Sequence, residues 1–144
     1  MKLNLGCGKD LRKGFLNLDK KDIDLEKPLP FATNEVEEIV LRNVIEHVVE
    51  HKQLLQECYR VLKPNGKMFI STANYCSLGH RIRFCFGNDV PFRDFNHVRF
   101  FSYKMFLEEI FKTGFVIERI KGNSLTFSFL PARYSGNVQL FLKK

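Results

Sequence analysis

The most restrictive feature of this chain is a strand–turn–strand unit near its start: Leu3-Asn4-Leu5, then Gly6-Cys7-Gly8, then Phe15-Leu16-Asn17-Leu18-Asp19. Parallel strands are normally joined by a dozen or more residues, usually an α-helix. Asp19 arrives eleven residues after Gly8, too soon for a helix of ordinary length, so the crossover must be cut to a turn or two. Gly6 and Gly8 have no Cβ, which lets the backbone turn sharply and lets a ligand approach its amides. Asp19, ending the second strand, is placed to accept hydrogen bonds from both hydroxyls of a ribose. The unit is the skeleton of a nucleotide-type cofactor site. A dinucleotide fingerprint needs a third glycine, G-x-G-x-x-G, and Leu11 stands where it should be. A nicotinamide or flavin oxidoreductase is therefore a distant reading.

Downstream, the apolar pattern alternates between strand and helix. Residues 2–5 and 15–18 are short strands, and 23–25 is a possible third, closed by the turn Lys27-Pro28-Leu29-Pro30. Residues 36–41 contain Ile39-Val40-Leu41, a continuous apolar run of the kind found in a central parallel strand. Leu54, Leu55, Cys58, Val61 and Leu62 recur at helical spacing over 51–62, with Lys52, Gln56 and Arg60 opposite. Lys63-Pro64-Asn65-Gly66 stops that helix, and 67–72 follows as a strand. A second helix spans 103–112, with Ser102 as N-cap, a stripe of Phe106, Leu107, Ile110 and Phe111, and Gly114 at its end. Strands at 115–120 and 138–142 complete the series. Strands alternating with helices imply an α/β fold with a mostly parallel sheet covered on both faces.

The 144 residues suit one domain, 1–144, and 44% hydrophobic content with fifteen Phe suits a packed core. No apolar run approaches the roughly 20 residues that cross a bilayer. A charged stretch followed by an apolar one is missing at the N-terminus, so the expected location is cytoplasmic. Cys7, Cys58, Cys76 and Cys85 show neither a CxxC pair nor zinc-type spacing, which reads as reduced thiols and no metal. Cys7 is better explained as a small residue tolerated under a ligand than as a nucleophile. A net charge of +7 permits a polyanionic partner such as RNA, but no aromatic-basic strand motif supports one.

In their order, these segments resemble the class I S-adenosylmethionine-dependent methyltransferases, most closely small methyltransferase-like members. Gly14-Phe15-Leu16-Asn17-Leu18-Asp19 is similar to the "G-[FY]-[IL]-N-[VL]-D" strand that follows a GCG turn. Asp24-Leu25-Glu26-Lys27-Pro28-Leu29-Pro30-Phe31 resembles "D-L-x-x-P-L-P-F". The run from Glu38 to Val48 resembles the strand with "x-L-E-H-[IV]", residues 55–66 the "L-x-E-x-x-R-V-L-K-P-G-G" helix and turn, and 97–114 the "H-x-x-x-[FY]-[ST] … GF" block. Two departures stand out: Glu37 or Glu38 sits where the family usually has Asp, and the helices that often precede the first strand are absent. The resemblance implies a Rossmann-like, doubly wound, mostly parallel sheet with a shortened N-terminus and an antiparallel last strand. A partner subunit or mobile loop would then cover the site, and an oligomer is compatible with the sequence.

The resemblance also implies S-adenosyl-L-methionine as cofactor and assigns residues to it. Leu5, Gly6, Cys7 and Gly8 would meet the methionine portion, Asp19 the ribose, and Asp24 with Leu25 the adenine edge. Asn43 would use its amide or carbonyl on the cofactor's amino group, beside Val44 and His47. Methyl transfer from a sulfonium is an in-line displacement, so alignment and exclusion of water matter more than a catalytic triad. His47 and His97 are the candidate catalytic residues, because histidine takes a proton near neutral pH. Asn74-Tyr75 lacks the prolines of the Asn-Pro-Pro-Tyr motif and follows the wrong strand, so no amine methylation of DNA is inferred. Residues 76–101 read as a substrate lid, with Arg81, Arg83, Arg93 and Arg99 interleaved with Phe84, Phe86, Phe92, Phe95, Phe100 and Phe101. The acceptor, small molecule or macromolecule, is not specified. A methyltransferase-fold binding protein without catalysis is the alternative.

Overall fold

The computed structural model describes residues 1–88, 97–123 and 131–144. Six strands form one sheet: β1 (Lys2–Leu5), β2 (Leu16–Leu18), β3 (Val36–Arg42), β4 (Leu62–Ala73), β5 (Val116–Asn123) and β6 (Asn137–Lys143). Their spatial order is β2-β1-β3-β4-β6-β5. The pairs β1–β2, β1–β3 and β3–β4 are parallel, while β6 runs antiparallel to both β4 and β5. The class, the parallel majority and the antiparallel last strand agree with the sequence. Among the described residues no helix is long and apolar enough to cross a membrane.

Helix α1 (His51–Val61) joins β3 to β4, and α3 (Tyr103–Phe111) lies between β4 and β5. Between them comes α2 (Leu78–Cys85), which the sequence did not signal. Leu54, Leu55, Cys58 and Val61 of α1, and Phe106 and Ile110 of α3, bury into one core with Leu3, Leu5, Ile39, Leu41, Met68, Ile70, Leu140 and Leu142. These strand positions alternate, so both helices lie on one face of the sheet. The other face carries Glu38, Val40, Lys67, Phe69 and Phe141 around a groove of about 360 Å³. Among the described residues no helix lies on it, whereas the sequence pattern implied cover on both faces. The reason is local: both crossovers at the β2 side are built from turns.

Two asparagines make the first of those crossovers possible. Buried Asn4 donates to Asp10 O at 2.7 Å and to Asn17 Oδ1 at 2.8 Å. Asn17 in turn accepts from Arg12 N and donates to the Arg12 and Phe15 carbonyls. Side-chain amides thus satisfy loop backbone that a crossover helix would have satisfied internally. Residues 23–25 are not a strand. Ile23 N–H donates to Asp19 O at 3.0 Å and Lys27 N–H to Asp24 O at 3.2 Å, so successive turns hold this segment. The 63–66 turn is absorbed into the start of β4, with Asn65 at a left-handed φ of 65°.

Candidate functional site

The strand order reverses between β1 and β3, and the loops leaving their carboxyl ends meet there. This is where open α/β sheets hold ligands. Gly6 adopts φ +63° and Gly8 φ +48°. A Cβ on Gly6 would sit 2.5 Å from Val44 Cγ2, so the first loop passes against the β3 loop only because that atom is absent. Cys7 N–H donates to Leu18 O at 3.1 Å, which fixes the glycine turn to the end of β2. Asp19 comes next. Its backbone N–H donates to Asp22 Oδ2 at 3.0 Å, and its half-buried carboxylate makes no hydrogen bond or ion pair among the described residues. The structure therefore brings Leu5, Gly6, Cys7, Gly8, Asp19 and Val44 together.

Cys7 is buried, and burial, followed by the carboxylates of Asp19 and Asp22, pushes its thiol above the ordinary value. A protonated thiol is a poor nucleophile, as expected for a space-filling residue. Asp24 is exposed, and its carboxylate accepts from Glu26 N at 3.1 Å and pairs with Lys27 at 3.2 Å. Those bonds hold its carboxyl below the usual range, the Glu26 amide foremost. A ligand amine at Asp24 would compete with Lys27. Leu25 is half-buried against the core. Glu26 clamps this loop to α1, accepting from Val49 N at 2.8 Å and Glu50 N at 2.9 Å. Asn43 is left-handed at φ 51°. Its side-chain oxygen accepts from Ser71 Oγ at 3.0 Å and Asn137 Nδ2 at 2.8 Å, which leaves its amide hydrogens and carbonyl for a ligand.

After Val44 the chain makes a 3₁₀ turn over Ile45–His47. Glu46 is only 3% exposed, and its Oε2 accepts from Thr72 Oγ1 at 3.0 Å. Burial pushes its carboxyl above the usual value, against the Thr72 bond and the neighbouring imidazoles of His47 and His97. The His47 and His97 rings are 4.7 Å apart, edge to face. Two histidines fifty residues apart in sequence are thus neighbours beside the switch point. Val98 and Arg99 N–H both donate to Glu46 O, at 3.1 and 3.2 Å, and hold the His97 segment there. Thr72, and the carboxylate of Glu46 as a member of this group, were not legible in the sequence. The only signal was the Glu46-His47 pair.

Asn74 is structural. Its amide donates to Arg133 O and Ser135 O, both at 3.0 Å, and its oxygen accepts from Cys76 N and Tyr103 N. In the lid segment, α2 starts at the Ser77 cap and buries none of its residues. Phe84 and Phe86 are exposed beyond 60%. Phe101, by contrast, is buried in the core. Phe92, Arg93 and Phe95 lie outside the described residues.

A mostly parallel α/β sheet with a glycine turn, a free acid after β2 and a loop contact across the switch point defines a Rossmann-like domain for a nucleoside cofactor. A family model described as a methyltransferase domain matches residues 7–70. A protein of Mycolicibacterium smegmatis named as a probable S-adenosylmethionine-dependent methyltransferase is 35% identical over 115 residues, 78% of this chain and 41% of that protein. The chain thus spans about two-fifths of that relative. Among solved structures, a SAM-dependent methyltransferase from Thermotoga maritima aligns over 99% of this chain and 81% of its own, at TM-score 0.69 and 17% identity. The (4+2)-cyclase SpnF aligns over 99% of this chain and 73% of its own, at TM-score 0.69 and 16% identity. Over most of its length the chain is thus similar to S-adenosylmethionine-dependent methyltransferases, and it shares their fold.

Proposed function

We propose that this chain binds S-adenosylmethionine across the β1–β3 switch point and promotes transfer of its methyl group to an acceptor. The observation that carries the reading is Asp19, a carboxylate without a partner among the described residues, fastened beside a turn whose first glycine, Gly6, has no room for a Cβ. The residues present fit the cofactor: an unpaired acid for ribose hydroxyls, left-handed glycines for close approach, and apolar Leu25 and Val44 beside them. When bound, S-adenosylmethionine supplies an electrophilic methyl on a sulfonium. The chain's own share is to hold the adenosine with Asp19, Asp24 and Leu25, and to seat the methionine portion on the Gly6–Gly8 turn. An imidazole nitrogen of His47 or His97 takes the proton that an oxygen or nitrogen acceptor releases.

The acceptor, whether a small molecule or a macromolecule such as RNA, would enter past 76–101, where exposed Phe84 and Phe86 stand among arginines. Four free cysteines support a cytoplasmic, reducing location. Calorimetry with S-adenosylmethionine and S-adenosylhomocysteine tests the reading, and saturable one-to-one binding is expected. Binding to neither would eliminate it. Binding without turnover over a broad acceptor panel would favour the non-catalytic alternative, which the fold's occurrence in a cyclase makes concrete.

A further inference from the structure

Glu46, His47 and His97 form a cluster at the end of the loop that follows β3. Each offers one ligand atom, and these atoms lie within 4.8 Å of one another. Glu46 is 3% exposed, and one of its carboxylate oxygens is turned onto the Thr72 hydroxyl at 3.0 Å. No lysine or arginine pairs with that carboxylate among the described residues. Burying a carboxylate without a paired lysine or arginine is costly. A divalent cation would supply the missing positive charge.

We propose that Glu46, His47 and His97 form a binding site for a divalent first-row transition-metal ion. Two imidazole nitrogens and one carboxylate oxygen suit manganese, iron, cobalt or zinc, and leave coordination positions open for an incoming oxygen. The scaffold is already built. Glu46 and His47 share one 3₁₀ turn, closed by His47 N–H to Val44 O at 2.9 Å. The His97 arm is tied to the same turn through the Val98 and Arg99 amides on Glu46 O. Thr72 orients the carboxylate from behind, as outer partners of metal ligands do. Metal–ligand bonds of about 2.1 Å need ligand atoms roughly 3 to 3.4 Å apart, so ligand atoms that lie within 4.8 Å of one another close by up to about 1.5 Å on binding. The ion's capacity to bind stands apart from the cofactor. Its role, to hold an oxygen acceptor beside the methyl group and ease loss of that oxygen's proton in place of an imidazole base, rests on the methyl-transfer reading.

The exposed thiols Cys76 and Cys85 could capture a soft metal by themselves, so the test uses the Cys76→Ser, Cys85→Ser chain, treated with chelator and dialysed. Mn²⁺ and Co²⁺ are titrated by calorimetry, Co²⁺ also by its visible absorption, with and without S-adenosylhomocysteine. One ion per chain is expected, with a dissociation constant raised at least about 100-fold in His47→Ala and in His97→Ala. Far-UV circular dichroism confirms that each variant is folded, and Glu46→Gln is a third variant should either histidine change unfold the chain. Absence of saturable binding, or equal binding in His97→Ala, would overturn the proposal. Metal binding without S-adenosylhomocysteine binding would leave the ion site standing and sink the methyl-transfer reading instead.

Discussion

Replacing Gly6 with alanine tests whether the contact between the two switch-point loops holds the site together. Two costs add. Alanine at φ +63° occupies the left-handed region, at about 1–2 kcal/mol. The new Cβ would also meet Val44 Cγ2 at 2.5 Å and Cγ1 at 3.0 Å, and forcing that volume into a packed spot costs about 1–3 kcal/mol more. Gly6→Ala should therefore lose about 2–5 kcal/mol, with loss of S-adenosylhomocysteine binding as the turn shifts. Gly8 is an internal control: its φ is +48° but nothing lies within 4 Å of an added Cβ. Gly8→Ala should lose only the backbone share, about 1–2 kcal/mol. Val44→Ala removes both clashing methyl groups and costs about 2 kcal/mol alone. In the Gly6→Ala, Val44→Ala pair the clash vanishes, so the cycle should show a favourable coupling of about 1–3 kcal/mol. The chain has no Trp, so urea unfolding is followed by far-UV circular dichroism. Equal losses for Gly6→Ala and Gly8→Ala, or strict additivity in the cycle, would refute the reasoning.

Asp19→Asn should weaken S-adenosylhomocysteine binding about 10- to 100-fold, since charge-assisted bonds to ribose are lost; stability should stay within about 0.5 kcal/mol, because the carboxylate holds nothing in the chain. Comparable affinity in calorimetry would show that the ribose lies elsewhere. His51 is 4% exposed, and burial holds its imidazole below the ordinary 6.5. As pH falls through 6.5 the unfolded chain takes up this proton first, so stability is lost toward the depressed folded value. Thermal melts at about pH 7.5 and about pH 5.5 should show that slope, and His51→Gln should flatten it; an unchanged slope would assign the effect to other groups. Asn74→Ala strands four backbone partners and should cost about 3 kcal/mol in urea unfolding, whereas a loss below about 1 kcal/mol would mean that the loops hold one another without it.

Where a segment has a buried stripe, the sequence disclosed it. Leu54, Leu55, Cys58 and Val61 are the buried face of α1; in α3 Phe106 and Ile110 are buried, but Phe111, expected in the stripe, lies at the helix end and is 64% exposed. Strands β1 and β3 were equally plain, because Leu3, Leu5, Ile39 and Leu41 are fully buried on the core side. Helix α2 buries nothing, so its residues carry no apolar period to read. Ile23-Asp24-Leu25 looked like a strand by composition, but the Asp19 and Asp24 carbonyls close turns through it, and such competition is invisible to a pattern of apolar residues. In the site, the Gly6–Asp19 unit is local and was legible. The junction of His47 with His97, and of Glu46 with Thr72, depends on how β3, β4 and the segment after α2 are brought side by side, and no short-range signal encodes it.

Strand β6 lies between β4 and β5, although it follows both in the chain. Order of assembly is therefore dictated by topology. Among the described residues β5 pairs only with β6, so residues 116–123 have no place in the sheet until residues 137–143 exist. At synthesis rates of about 5–20 residues per second, the wait lasts a second or more. Through that interval β4 keeps an open edge along Met68, Phe69 and Ile70, the very register that Leu142, Phe141 and Leu140 later fill. Lys144 then latches the closure, its amine reaching Asn34 Oδ1 at 2.8 Å and Leu62 O at 2.7 Å. A nascent chain halted before Asn137 would present an unpaired apolar edge to its neighbours on the polysome, and its expected fate is association with them.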